Sequence, residues 1–403
     1  MEQSSANNIL ERDYESILGT YARAPIEFVK GHGATLIDAD EKSYLDFGSG
    51  IAVSALGHDH PKIIDALQEA IKKPLHISNL YPSLDQIELA EGLLEKLPFD
   101  KVFFCNSGTE ANEAVLKFAR KYWFSKGRAD KVKVISFTNS FHGRTYGALS
   151  VTGQPKLQEG FGPMVPGSVV LPYNDAGALV EALSDDQVAA VILEPLQAEG
   201  GLNAPSKEFV RVLNEKRKAG QFLILGDEVQ CSLGRLGEPL GGDVYGLEYD
   251  MITIAKPLGG GLPLGAVLLK TEQAVAIKPG DHGTTFGGNP LSCSLGKVVI
   301  DHVLDDEFLK EVKAKSAILN SGLESLVEAF ESCLEVKGTG LLMGVKVSCE
   351  IPQVIDLCRA KGLIVLRAGA DVIRLAPPLI VSNEEILKAL EILKETLTEL
   401  EVK

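Results

Sequence analysis

Thr253-Ile254-Ala255-Lys256-Pro257-Leu258-Gly259-Gly260-Gly261 closes the apolar run 251–255 with a lysine and a glycine-rich turn. Upstream, Phe222-Leu223-Ile224-Leu225 is a second apolar run, followed after Gly226 by Asp227 and Glu228. Short runs of this kind read as strands buried on both faces. In a parallel sheet, ligands bind outside the carboxyl ends of the strands, where Asp227 and Lys256 both stand. Either residue alone is ordinary: lysines are mostly solvated, and an acidic pair after a strand commonly caps a helix or turns the chain. Together they suggest a pyridoxal phosphate site. Such a site needs a lysine to form a Schiff base with the cofactor aldehyde and an acid to keep the pyridine nitrogen protonated. A lysine held against an apolar strand is also partly desolvated, which predicts a lowered pKa.

Working outward, further apolar runs lie at 102–105, 132–137, 188–193 and 265–269. Amphipathic stretches separate them, such as 207–218 with Phe209, Val210 and Leu213 on one face. Another, led by Pro61, carries Ile63, Ile64, Leu67, Ala70 and Ile71 at helical spacing. This alternation predicts an α/β fold with a mostly parallel sheet between helices. The texture changes after residue 305. Helical segments at 307–330 and 383–400 flank shorter strands at 341–347, 363–366 and 372–375, which predicts a smaller α+β domain. The expected division is an N-terminal segment 1–50 joining the small domain, with strand-like Thr35-Leu36-Ile37-Asp38, then a large domain 51–304 and the small domain 305–403.

At 403 residues and 45% hydrophobic, the chain can bury one large core and a second, smaller one. No apolar run reaches the roughly 18–20 residues of a membrane span. A net charge of −15 opposes binding to nucleic acid and to anionic lipid. The six cysteines show no CxxC pair and the seven histidines are dispersed, so no metal site is expected and the thiols read as reduced. Absence of a Gly-x-Gly-x-x-Gly turn disfavours a nicotinamide enzyme. The start, Met1-Glu2-Gln3-Ser4-Ser5-Ala6-Asn7-Asn8, has neither a signal-peptide core nor an arginine-rich transit character. A cytoplasmic protein is expected, with a processed mitochondrial form as the alternative.

Two motifs extend the site. Asn106-Ser107-Gly108-Thr109-Glu110-Ala111-Asn112-Glu113 follows the run 102–105 and opens a helix. Ser107 and Glu110 have capping-box spacing, Gly108 permits close backbone approach, and the free N–H groups of a helix start suit a phosphate. The plain alternative is a well-capped helix and nothing more. Phe141-His142-Gly143-Arg144 follows another strand end. Phe141 offers a flat face for a pyridine ring, with Val229 for the opposite face, and Arg144 suits a substrate carboxylate.

Over essentially its whole length the chain resembles the fold-type I, class III aminotransferases. The matching segments are Leu45-Asp46-Phe47, Gly50-Ile51-Ala52-Val53 with Ala55-Leu56-Gly57-His58, the stretch from Phe104 to Glu113, Ser140-Phe141-His142-Gly143-Arg144-Thr145, Glu194-Pro195 with Gln197 and Glu199-Gly200-Gly201, Asp227-Glu228-Val229-Gln230, Ala255-Lys256, and the stretch from Asp281 to Leu291. The resemblance implies a Schiff-base and proton-carrying role for Lys256, and a pairing of Asp227 with the pyridine nitrogen. It implies that Gln230 bonds the ring hydroxyl and that Phe141 and Val229 sandwich the ring. Ser107, Gly108 and Thr109 would hold the phosphate, helped by Thr285 from a second subunit of a homodimer. Arg144, with Tyr21 and Ile51, would bind the amino donor. Glu199 would cover Arg374 while the donor is bound and release it to the second carboxylate of 2-oxoglutarate. The activity implied is transfer of the terminal amino group of N2-acetylornithine to 2-oxoglutarate. Ornithine is the nearest alternative donor, succinylornithine and 4-aminobutyrate lesser ones, and a non-catalytic binding protein a remote reading. Apolar Ile51, where an ornithine enzyme would want tyrosine, favours an acyl-capped donor. Gly226, Ala198 and Phe286 depart from the family's usual residues.

Overall fold

The computed structural model describes residues 5–402. Strands β1 (Phe28–His32), β2 (Thr35–Asp38) and β3 (Ser43–Asp46) form an antiparallel meander near the N-terminus. The large sheet follows: β4 (Lys101–Cys105), β5 (Lys133–Phe137), β6 (Ser168–Leu171), β7 (Val188–Leu193), β8 (Leu223–Asp227), β9 (Met251–Ile254) and β10 (Gly265–Leu269). Its spatial order is β4-β10-β9-β8-β7-β5-β6. The neighbours from β9 to β6 pair in parallel, and only β10 runs antiparallel to its two neighbours. The predicted mostly parallel sheet is therefore present. Every residue of β7, β8, β9 and β10 is buried, as expected of strands covered on both faces. Each fully buried Val, Leu or Ile among them contributes about 1.5–3 kcal/mol.

The C-terminal part has β11 (Cys333–Thr339), β12 (Leu342–Val347), β13 (Leu363–Ile364), β14 (Leu366–Ala368) and β15 (Val372–Leu375), with helices Asp306–Ala329, Ile351–Ala360 and Asn383–Val402. The single strand expected at 363–366 is in fact two. β13 pairs in parallel with β3, whereas β14 pairs with β15 in the sheet β11-β12-β15-β14. One apolar run serves two sheets, so hydrophobicity gives no sign of the break at Val365. The helix led by Pro61 ends at Ala70, and Ile71 caps it at 59% exposure rather than extending its buried face.

Buried Arg235 stitches the large sheet's loops to the C-terminal part: its Nη1 donates to the carbonyls of Leu341 (3.0 Å) and Pro377 (2.6 Å). All six cysteines are free, and only Cys349 is not fully buried. Among the described residues, no helix is long and apolar enough to cross a membrane.

Candidate active site

The carboxyl ends of β4, β5, β7, β8 and β9 point the same way, so the residues that follow them converge. Ser107 follows β4, Phe141 and Arg144 follow β5, Glu194 follows β7, Asp227 ends β8 and Lys256 follows β9. They line one cavity of about 410 Å³ with Gly108, Thr109, Asn112, His142, Val229, Gln230 and Val53. This is the crevice where an open α/β sheet places a ligand.

Lys256 opens onto this cavity, and no hydrogen bond or ion pair engages its Nζ among the described residues. Burial is the largest influence on the ammonium and lowers its pKa to about 8, against the opposing charge of Glu199. The desolvation expected from sequence is thus present. Its backbone is also unusual, with φ +32°, a conformation that persists only where the surroundings enforce it.

Asp227 is buried and held from two sides. Its Oδ2 accepts from Asn112 Nδ2 and lies against His142 Nδ1, both at 2.8 Å, while Oδ1 takes, among the described residues, only the N–H of Val229 at 3.2 Å. Oδ1 is the oxygen with capacity to spare. Asn112 is fixed by donating to the His142 carbonyl (2.6 Å) and accepting from Thr253 Oγ1 (2.8 Å). Sequence reasoning gave Asn112 no role. Its signal was a polar residue on the buried face of helix Gly108–Ser125, between Ala111 and Ala114.

The helix start is capped, with a shift from the expected box. Ser107 Oγ accepts from the N–H of Glu110 (3.2 Å), but the Glu110 carboxylate reaches back to the N–H of Asn106 (2.6 Å), not to that of Ser107. The N–H groups of Gly108 and Thr109 find no acceptor among the described residues. A Cβ on Gly108 would lie 2.7 Å from Val229 Cγ1, so glycine is what lets Val229 close on the helix start.

Glu194 is a second residue missed by sequence reasoning. Its two oxygens accept from the N–H groups of Phe141 (2.9 Å) and Ala198 (3.2 Å). Burial, with the Asp227 charge beside it, pushes its carboxyl pKa well up. One side chain thus fastens the loop of Phe141 to the loop of Glu199. Arg144 lies with its guanidinium 5.8 Å from the Phe141 ring centre.

Glu199 and Arg374 adjoin the cavity behind Gln230. Arg374 Nη1 donates to Glu199 Oε1 at 2.6 Å and to Gln230 Oε1 at 3.3 Å. Burial raises the Glu199 carboxyl pKa, but the Arg374 and Lys256 charges outweigh it and leave the pKa lowered. Arg374 is 3% exposed and Glu199 29%, so the carboxylate is the partner with room to move.

Three expected residues do not line this cavity within the chain. Tyr21 is 73% exposed, and Ile51 is 46% exposed beside the cavity without lining it. Thr285 is exposed outside the cavity, next to Ser78, Asn79 and Tyr81 and on a pocket it shares with Asn106 and Glu110. The departures from the family pattern have local reasons. A Cβ on Gly226 would lie within 3 Å of the Tyr249 ring, which fills that space instead. Ala198 is fully buried, and Phe286 is 62% exposed, with its ring tilted against His76 at 5.2 Å between centres.

Residues 19–397 match the family described as Aminotransferase class-III. The chain is 44% identical to the acetylornithine aminotransferase of Caldanaerobacter subterraneus subsp. tengcongensis, over 95% of this chain and 98% of that one. Among solved structures, the ornithine aminotransferase of Toxoplasma gondii superposes with a TM-score of 0.94 at 30% identity, covering 99% of this chain and 96% of that one. The acetylornithine aminotransferase of Elizabethkingia anophelis gives 0.88 at 29%, covering 98% and 100%.

Proposed function

The chain belongs to the class-III aminotransferases, and we propose that within this family it moves the terminal amino group of N2-acetylornithine to 2-oxoglutarate. The products are N-acetylglutamate 5-semialdehyde and glutamate. What carries the choice of donor is the 44% identity, over nearly the whole of both chains, to a relative named for acetylornithine. The close superposition on an ornithine enzyme comes with only 30% identity and reflects the fold both share.

The family's cofactor is pyridoxal phosphate, and the cavity suits it: an unengaged lysine, a buried acid with a spare oxygen, and free N–H groups at a helix start. Bound there, the cofactor supplies an aldehyde that condenses with amines and a protonated ring that draws electrons from the reacting carbon. Gly108, Thr109 and Ser107 bind its phosphate through backbone and hydroxyl donors. Asp227, whose Oδ1 has capacity to spare, would keep the ring nitrogen protonated, with Asn112 and His142 holding that carboxylate in place. Gln230 bonds the ring hydroxyl, and Phe141 and Val229 hold the ring flat. Lys256 Nζ, neutral in a large fraction of molecules near pH 8, takes the proton from the amino-bearing carbon of the donor.

Substrate residues act around that centre. Arg144 binds the donor's α-carboxylate, and Tyr21 and Ile51 flank the donor's path. Glu199 neutralises Arg374 while the singly anchored donor is bound, then turns aside so that Arg374 pairs with the second carboxylate of 2-oxoglutarate. The large domain 51–304 supplies the cavity, and segments 1–50 and 305–403 form the smaller unit that carries Arg374. The active unit is a homodimer in which Thr285 completes the phosphate site of a second copy. It works in the cytoplasm, or in a mitochondrion as a processed form.

Following the cofactor spectrum while acetylornithine, succinylornithine, ornithine and 4-aminobutyrate are added in turn tests the reading. Acetylornithine is expected to exceed ornithine in kcat/KM by at least about tenfold, which is roughly 1.4 kcal/mol of transition-state binding. Equal or better rates with ornithine reverse the choice.

A pH dependence follows from the lysine. Only the neutral amine attacks an aldehyde, so the rate at which cofactor-free protein captures pyridoxal phosphate is expected to rise about tenfold per pH unit below pH 8 and to level off above it. The midpoint is set by the pKa of about 8. A midpoint near the ordinary lysine value, roughly 10.4, would show that the side chain is not desolvated.

A further inference from the structure

Ser49, Gly50, Ile51 and Ala52 have φ of 41°, 63°, 64° and 61°, four consecutive residues in the left-handed region. Only one of them is glycine, and a β-branched isoleucine there is a genuine outlier. Such a run survives only where its surroundings over-determine it. Here the clamp is Asp46, whose buried carboxylate accepts through Oδ1 from the N–H groups of Gly48 (3.1 Å) and Ser49 (2.7 Å). Its Oδ2 lies 2.9 Å from His58 Nε2, which keeps the carboxylate aimed at the turn.

The turn is fastened to the substrate residues on two sides. Ser49 Oγ donates to the carbonyl of Ala376 at 2.5 Å, and the Ala376 N–H donates to the Phe47 carbonyl at 2.7 Å. Ala376 stands two residues after Arg374. Ala52 is buried in one cluster with Ala198, Val372 and Ala376, the neighbours of Glu199 and Arg374. Val53, next in the chain, lines the Lys256 cavity.

We infer that Asp46 is a positioning residue for donor recognition. Its carboxylate holds residues 49–52 in a strained left-handed turn, and thereby fixes Ile51 beside the cavity and seats the strand end that carries Arg374. Without the clamp the turn relaxes toward ordinary backbone, Ile51 and Val53 shift, and discrimination between donors falls while Lys256 and its cofactor contacts stay in place. The inference rests on the acylated-donor reading above, because that preference is one of its two readouts.

The experiment compares wild type, Asp46→Ala, Asp46→Asn, Ile51→Gly and Ile51→Val as cofactor-loaded enzymes. It measures Tm and the ratio of kcat/KM for acetylornithine over ornithine. Asp46→Ala is expected to lower the ratio at least about fivefold with full cofactor loading, while Asp46→Asn, which keeps an acceptor for the two N–H groups, stays within about twofold. Ile51→Gly is expected to raise Tm by about 2 °C or more by relieving the strain, and to lower the ratio, whereas Ile51→Val, still β-branched, leaves Tm unchanged. An unchanged ratio in Asp46→Ala overturns the positioning role, and an unchanged or lower Tm in Ile51→Gly overturns the strained turn. If Asp46→Ala does not fold, the Ile51→Gly pair of readouts decides alone. If wild type shows no preference for acetylornithine, the donor reading fails by itself, and the Tm of Ile51→Gly still decides whether the turn stores strain.

Discussion

Lys256→Ala is expected to lower kcat by at least about ten-thousand-fold, the combined loss of a covalent anchor and a positioned base. Cofactor should still bind without a covalent link, because the helix start at Gly108 and the acid Asp227 remain. Borohydride treatment of wild type should fix the cofactor to a single peptide containing Lys256, and the variant should yield no such peptide. The case for this lysine rests on its isolation: buried enough to lower its pKa to about 8, yet free of any partner among the described residues. A half-buried cation with no hydrogen-bonded partner is costly, and a chain retains one where the free amine is used. Reduced cofactor found on any other lysine would end the assignment.

What could be read before folding depended on whether a residue's surroundings are local in sequence. Asp227 and Lys256 each close an apolar run, so the sheet rule alone puts them at one end of the molecule. Asn112 and Glu194 escaped that rule because their partners come from afar: Asn112 meets His142, Asp227 and Thr253, and Glu194 meets the N–H groups of two separate loops. The division of 363–366 into β13 and β14 was equally hidden, since both halves are apolar and only pairing with β3 or β15 distinguishes them. Edge strand β6, half exposed at every position but one, lacked the buried run that marked its neighbours. Ile51 is the sharpest case. Nothing in an isoleucine announces a left-handed backbone, and it takes the Asp46 and Ala376 contacts to impose one.

The proposed homodimer makes the second large prediction, through Thr285. In this chain it lies outside the Lys256 cavity, on a loop tied by Asn79 Nδ2 to the carbonyls of Thr284 (3.2 Å) and Gly287 (3.0 Å). That tie gathers Leu80 (85% exposed), Tyr81 (66%) and Phe286 (62%) on one surface. Exposed apolar groups gathered in this way would be buried by a second chain. In the proposed two-fold dimer each loop would meet the other copy's site, so that the two sites exchange Thr285 residues. Thr285→Asp sets a carboxylate against the cofactor phosphate and should inactivate the protein by like-charge repulsion; Lys256→Ala inactivates it directly. When the two inactive chains are unfolded together and reassembled at equal amounts, half of the dimers are mixed. Each mixed dimer then holds one site with an intact Lys256 and an intact Thr285, so activity should return to about one quarter of wild type. If Thr285 instead served its own chain, every site would carry one lesion and no activity would return. The recovered fraction therefore separates a shared site from a self-contained one, whatever the mass of the assembly.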